Sequence, residues 1–195
     1  MKLYDISLSG NCYKVRLFLS LLDKEYETIP VNTAAGDTRT AMFLKLNPRG
    51  QVPVLEDHDL VIWDSTAILM YLARRYGNES WLPRDAIELA MVGQWLAVAQ
   101  NEILYGIARA RAMLLFKRAG DLQEYQTIGT GILEVMEQHL ENRDWLALKH
   151  PTIADIACYP YVLLAPDAGI TLEHYPAIQA WIDRIKTLPD YKDML

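Results

Sequence analysis

The sequence predicts an α/β domain followed by an all-helical one, and three observations carry that reading. Strand-like alternation is confined to the first 77 residues, and every later apolar stretch repeats with a helical period. The charge divides at the same place: up to Gly77 there are 9 basic and 9 acidic residues, after it 10 and 16, so the whole net charge of −6 falls in the second part. A chain of 195 residues is long enough for one large domain or for two small ones around a shared interface, so two domains are allowed though not required.

In the first part, residues 2–7 (KLYDIS) read as a strand, broken at Gly10-Asn11 and followed by a helical stripe of Val15, Leu17, Phe18, Leu21 and Leu22. Residues 26–31 alternate as a second strand. After the polar loop around Gly36, residues 38–46 fit a short helix that stops before Asn47-Pro48. Residues 52–56 and 60–62 flank an Asp57-His58-Asp59 turn as a hairpin, and residues 65–76 form an amphipathic helix closed by Gly77. The order β-α-β-α-β-β-α predicts a mixed four-stranded sheet covered by helices, the arrangement of the thioredoxin-like fold.

A connection at residues 78–84, with Pro83 as a breaker, leads into the second domain, residues 85–195. Helical periodicity there gives one long helix over 85–119, then helices over 122–141, 152–164 and 177–187. Thr152-Ile153-Ala154-Asp155 has the spacing of a capping box with Asp in place of the more usual Glu. Gly129-Thr130-Gly131 lacks the third glycine and preceding strand of a dinucleotide site.

Composition excludes several classes of function. With 51% hydrophobic and 23% charged residues and a mean hydropathy near zero, the chain reads as an ordinary soluble globular protein. The acidic balance and scattered basic residues argue against nucleic acid as a partner. No stretch approaches transmembrane length and residues 1–7 do not read as a secretory signal, so no membrane partner is expected. Cys12 and Cys158 make neither a disulfide framework nor a zinc cluster, and a reducing cytoplasm is the expected location. His58, His139, His150 and His174 lack metal-ligand spacing, so no metal is expected, and Trp95, Trp145 and Trp181 read as packing residues.

The chemistry is expected where the first strand hands over to the first helix, at Ser9-Gly10-Asn11-Cys12-Tyr13-Lys14-Val15-Arg16. Amides and the positive end of a helix dipole there can stabilise an anion such as a thiolate. A thiol of pKa about 8.5 is only slightly ionised at neutral pH, and one charge-assisted hydrogen bond, worth about 1.5–3 kcal/mol, is enough to change that. Ser9 is a suitable donor, and Asn11 can add to it or replace it; the competing role for Ser9 is simply to cap the helix. Cys12, three residues on, gives a Ser-x-x-Cys pattern without the nucleophilic first cysteine and is expected to be buried and structural.

Two further constellations lie downstream. Gln51-Val52-Pro53 places a proline at the start of a strand, where a cis bond would turn an unpaired backbone edge outward for an extended peptide-like ligand; an ordinary trans proline opening a strand is the alternative. Asp64-Ser65 precedes a helix, so Ser65 and the first amides can hold a carboxylate while Asp64 faces an ammonium group, together suiting an α-amino acid end. Helix capping is again the commoner use of these residues.

These motifs, in order, resemble the cytosolic glutathione transferases: Ser9-Gly10-Asn11-Cys12 with Lys14-Val15-Arg16, then the run Asn47-Pro48-Arg49-Gly50-Gln51-Val52-Pro53-Val54-Leu55, then Asp64-Ser65-Thr66-Ala67-Ile68 with Tyr71-Leu72. The resemblance continues through Thr152-Ile153-Ala154-Asp155-Ile156-Ala157 and Tyr175-Pro176-Ala177-Ile178 with Trp181, nearly the whole chain. It implies a thioredoxin-like N-terminal domain and an all-α C-terminal one, glutathione as cosubstrate, a homodimer and a detoxifying transfer to a small hydrophobic electrophile. It further implies a cis Pro53, with Val52 pairing to the cysteinyl backbone, Ser9 as the activating serine of the theta-like and related bacterial classes, Asp64 and Ser65 at the γ-glutamyl end, and Gln51 near the glycyl end.

The chain departs from that pattern in two places. Asp64 stands where Glu is usual, and Asn11 resembles the asparagine of a bacterial class that reduces disulfides with glutathione, although that class usually has Thr at the position of Ser9. Disulfide or peroxide reduction through Asn11 and Ser9 therefore stands as an alternative, and a non-catalytic binding or regulatory protein as another. The electrophile pocket is expected between the domains, lined by Tyr105, Arg109 and Met113 at four-residue spacing; core or dimer contacts with a surface ion pair at Arg109 are the alternative.

Overall fold

In the computed structural model, which describes residues 1–194, four short strands build one mixed sheet. The strands are β1 (Lys2–Asp5), β2 (Glu27–Pro30), β3 (Val54–Asp57) and β4 (Leu60–Trp63), in the order β2-β1-β3-β4. β1 runs parallel to β2, with Leu3 opposite Thr28, and antiparallel to β3, with Leu3 opposite Leu55. The β3-β4 hairpin pairs Val54 with Trp63 and turns through His58 at φ 52°. The β-α-β-α-β-β-α order and the thioredoxin-like plus all-helical class read from the sequence are those of the structure.

Side-chain alternation along β1 explains how the sheet is covered. Leu3 is fully buried, while Tyr4, on the other face, meets the Phe43 ring edge-on at 6.0 Å. Helices α1 (Gly10–Leu21) and α3 (Ser65–Arg75) pack together and contribute Cys12, Val15, Leu17, Phe18, Ile68, Leu69 and Leu72 to the core. α2 (Ala41–Leu46) is shorter than the sequence suggested, because Thr40 caps it by accepting from the Phe43 amide at 3.2 Å and a 3-10 turn, Asp37–Arg39, takes up the preceding residues.

The chain divides into two compact units, Met1–Gly77 together with residues 189–194, and Asn78–Leu188. The terminal segment thus departs from the sequence reading, which placed it in the helical domain. It packs along α1 through hydrogen bonds from Tyr13, Arg16 and Ser20.

The second unit contains α4 (Ala86–Gln100), α5 (Arg109–Phe116), α6 (Leu122–Leu140), α7 (Ile153–Leu163) and α8 (Pro176–Lys186). The single long helix expected over residues 85–119 is two helices with a π-helical segment, Ile103–Ala108, between them. Within this segment the backbone comes close to α6. A Cβ on Gly106 would lie 2.5 Å from the Gly129 amide nitrogen of α6, so the chain accommodates a contact that only glycine allows.

α7 is the centre of this unit, with its residues from Ile153 to Val162 all buried. Its capping box is formed: Thr152 Oγ1 accepts from the Ala154 amide at 3.2 Å, and Asp155 accepts from the Thr152 amide at 2.9 Å. Asp155 also receives the Leu146 amide and the Trp181 indole N–H, each at 3.0 Å, and the Thr152 hydroxyl at 3.2 Å. Burial pushes its carboxyl upward in pKa against the pull of these donors. Glu137 of α6 similarly receives the first free amides of α8, Ala177 and Ile178, at 2.9 Å each.

Candidate functional site

The first unit brings two helix starts together. At the start of α1, Ser9 is the N-cap and its Oγ accepts from the Cys12 amide at 3.3 Å. That bond uses a lone pair of the hydroxyl and leaves its proton to be donated. Capping and activation of a thiol, set against each other in the sequence, are therefore compatible roles for one side chain.

At the start of α3, Asp64 is the N-cap, accepting from the Thr66 amide at 2.9 Å and the Ala67 amide at 3.4 Å. Asp64 sits at φ 78°, a backbone conformation disfavoured for a side chain of this kind, and such strain is found where a ligand site fixes the chain. Ser65, buried at the first position of α3, donates through its hydroxyl to Asn11 Oδ1 at 3.4 Å. This bond joins the two helix starts and leaves the Asn11 amide NH2 as a donor.

The third predicted element lies in the same unit. The Val52-Pro53 peptide bond is cis, and Val52 makes no hydrogen bond to any described residue, so both its N–H and its C=O are open to a ligand backbone. Asn47 holds this loop from behind, donating to the Gln51 carbonyl at 2.7 Å and accepting from the Arg49 amide at 2.9 Å. The Gln51 side chain is exposed.

Arg49 belongs to this neighbourhood although sequence reasoning gave it no role. Its guanidinium lies 3.4 Å from Asp64 and 5.9 Å from the Trp63 ring centre. The available signal was its position between Pro48 and Gly50 in the motif that leads to Val52. Arg16 was also missed: it grips Asp5 at 2.6 Å and the Ser7 carbonyl at 2.9 Å, bracing the loop that delivers Ser9.

Cys12 is fully buried, and burial pushes its thiol up to about 12, so it is no nucleophile at neutral pH. Among the described residues no group of His, Cys, Asp and Glu could hold a metal ion, and no helix is long and apolar enough to cross a membrane.

Tyr105, Arg109 and Met113 lie in the second unit. Tyr105 is in the π-helical segment, and the Arg109 guanidinium stands 4.1 Å over its ring and 5.7 Å from that of Tyr125. Met113 is half-buried on α5, and no carboxylate pairs with Arg109 among the described residues. The surface ion pair considered for Arg109 is replaced by stacking on two tyrosines.

Comparison with known proteins places this arrangement. Residues 1–74 match the glutathione S-transferase N-terminal domain family and residues 98–189 the C-terminal domain family. The fold is similar to that of a glutathione S-transferase from Pseudomonas fluorescens Pf-5, with a TM-score of 0.94 and 38% identity over 100% of this chain and 98% of that one. It is also similar to a glutathione transferase homolog from Drosophila mojavensis solved with bound glutathione, with a TM-score of 0.87 and 29% identity over 96% and 88% of the two chains. In sequence it is 30% identical to the disulfide-bond oxidoreductase YfcG of Escherichia coli K12, over 92% of this chain and 87% of that protein. With both domain families matched in order and relatives similar along nearly the whole length, the chain belongs to the glutathione S-transferase family.

Proposed function

We propose that this glutathione transferase binds glutathione along the first unit, ionises its thiol at the start of α1, and delivers the thiolate to a small hydrophobic electrophile. The observation that carries the reading is the junction of two helix N-termini through Ser65 and Asn11, 3.4 Å apart. Two positive dipole ends side by side favour a molecule with two anionic groups, a thiolate and a carboxylate.

In this reading Ser9 donates to the glutathione sulfur, with the Asn11 amide as a second donor. Val52 pairs through its main chain with the cysteinyl unit, the Ser65 amide at the first position of α3 holds the γ-glutamyl carboxylate, and Asp64 faces the ammonium group. Gln51 lies towards the glycyl end. Tyr105, Arg109 and Met113 are proposed for recognition of the electrophile. A homodimer is proposed with them: β4 exposes Leu60, Val61 and Trp63, and α4 exposes Ile87, Leu89 and Met91, apolar side chains suited to a partner. Cytoplasmic detoxification is the role that fits these parts.

A second reading, glutathione-dependent disulfide reduction, is favoured by Asn11 in the activating turn and by the likeness to an oxidoreductase. Turnover of purified protein with a halogenated nitroaromatic, an organic hydroperoxide and a small glutathione-reactive disulfide separates the two. Ser9→Ala is expected to lower kcat/KM for conjugation about tenfold or more, the loss of one hydrogen bond to a charged group. Unchanged conjugation in Ser9→Ala would remove Ser9 from the mechanism, and disulfide turnover alone would select the second reading.

A further inference from the structure

We infer that residues 189–194 are a positioning element for the thiol-activating turn, acting through Arg16 and Tyr13; the inference rests on the proposed use of Ser9. After Leu188 the chain leaves the helical unit and runs along α1. Ser20 donates to the Asp190 carbonyl at 2.7 Å, Tyr13 donates to the Lys192 carbonyl at 2.8 Å, and Arg16 donates to the Met194 carbonyl at 3.2 Å. The Tyr191 hydroxyl lies 3.1 Å from that of Tyr13 and donates to Asp193 at 3.0 Å.

Positions 13, 16 and 20 are three and four residues apart, so the segment follows one face of the helix whose first turn holds Ser9 and Asn11. Four of the six residues thus meet α1 through hydrogen bonds between positions 170 or more apart, and a fifth, Asp193, accepts from Tyr191 within the segment.

Arg16 makes the connection to Ser9. Its guanidinium donates to Asp5 Oδ1 at 2.6 Å, to the carbonyls of Ile6 at 3.4 Å and Ser7 at 2.9 Å, and to Met194. The Ile6 carbonyl in turn receives the Ser9 amide at 2.9 Å. One side chain therefore ties the end of β1, the loop presenting Ser9 and the terminal segment together. A planar fork with fixed donor directions does this, and an ammonium group cannot copy it.

With the segment gone, Arg16 loses one of its four oxygen partners and Tyr13 its acceptor, so the loop that aims the Ser9 hydroxyl is less fixed. A donor held less well stabilises the thiolate less, and the pKa of the bound thiol rises. A hydrogen bond at the reacting atom is sensitive to displacements well under 1 Å.

The test is an ultraviolet titration of the thiolate of bound glutathione in the full chain, in a chain ending at Leu188, in Arg16→Lys and in Tyr191→Phe, each with its circular dichroism and thermal midpoint. The shortened chain and Arg16→Lys are expected to raise the apparent pKa by about half a unit or more, roughly a threefold loss of thiolate near neutral pH. Tyr191→Phe is expected to shift it in the same direction by less. Folded variants with an unchanged pKa, even at a lower thermal midpoint, would overturn the inference and reduce the segment to a structural role. If the shortened chain does not fold, Arg16→Lys and Tyr191→Phe decide by the same criterion. A full-length protein that binds glutathione without ionising it would instead refute the proposed function.

Discussion

Among the aspartates that cap helix starts in this molecule, Asp155 and Asp64 do so in opposite ways. Asp155, at the start of α7, is fully buried and accepts from two amides, a hydroxyl and an indole. Asp64, at the start of α3, keeps a quarter of its side chain exposed, takes two amides of its own helix, has Arg49 3.4 Å away and holds a disfavoured φ of 78°. The first carboxylate is enclosed by the fold. The second is a cap presented at a surface, in a conformation that the fold tolerates rather than prefers. The same residue type, at the N-cap of α3 and at the third position of α7, thus serves ligand recognition in one unit, in the proposed function, and folding in the other.

The largest effect should come from breaking the enclosed cap. Asp155→Ala strands several buried donors at once, and unfolding is expected to become easier by about 3 kcal/mol or more, measured by denaturant titration. Turnover per folded molecule should stay close to normal, because Asp155 and the partners it accepts from, Leu146, Thr152 and Trp181, all belong to the second unit. A mild stability loss would mean that water replaces the carboxylate.

Asp64→Ala reverses the pattern. The lost cap is expected to cost about 0.5–2 kcal/mol of stability, partly offset by relief of strain, while KM for glutathione rises roughly tenfold to a hundredfold, the loss of an interaction with a charged group. An unchanged KM would make Asp64 a cap like any other and end the contrast.

The smallest effect is a pH dependence that differs between the units. In the first, burial pushes the Asp57 carboxyl up, but the hydroxyls of Tyr76 and Tyr71 that donate to it outweigh this and hold it low. A depressed carboxyl gives stability that is present above its unfolded pKa of about 3.9 and lost as pH falls through the folded value. In the second, burial depresses His139 despite its bond to the Leu146 carbonyl at 2.7 Å. Its folded form resists protonation, so its contribution is present above the unfolded pKa of about 6.5 and lost as pH falls below it. Stability measured against pH is expected to fall in two stages, with Tyr76→Phe reducing the lower one and His139→Gln removing the upper. A single stage unaffected by either variant would contradict this.

Much of this contrast could be read from the chain, because caps are local. Thr152 and Asp155 at capping-box spacing, Ser9 before the first helix and Asp64 before the third all fall where the sequence puts them. The strand and helix order was legible for the same reason: alternation and helical period are properties of short windows. What was hidden depends on distant partners. The Leu146 and Trp181 donors to Asp155, the Arg49 contact with Asp64 and the approach of Gly106 to Gly129 have no signature in any one window. The π-helical segment was missed because Tyr105, Arg109 and Met113 keep a helical spacing whether or not the turn is widened. The docking of residues 189–194 was missed because Pro189-Asp190-Tyr191-Lys192-Asp193-Met194 carries neither period nor motif, and its bonds cross some 170 or more positions.

In the proposed function the Ser9 hydroxyl caps α1 with its lone pair and stabilises a thiolate with its proton. The most direct measurement is the ultraviolet thiolate absorbance of glutathione bound to the wild type and to Ser9→Ala from pH 5 to 9, under glutathione saturation of both. A thiolate signal at neutral pH is expected in the wild type, and in the variant a titration shifted upward by about one unit, a tenfold loss of ionised thiol near neutrality. Superimposed titrations of the two proteins would contradict it and transfer the role to Asn11 and the amides of the helix start.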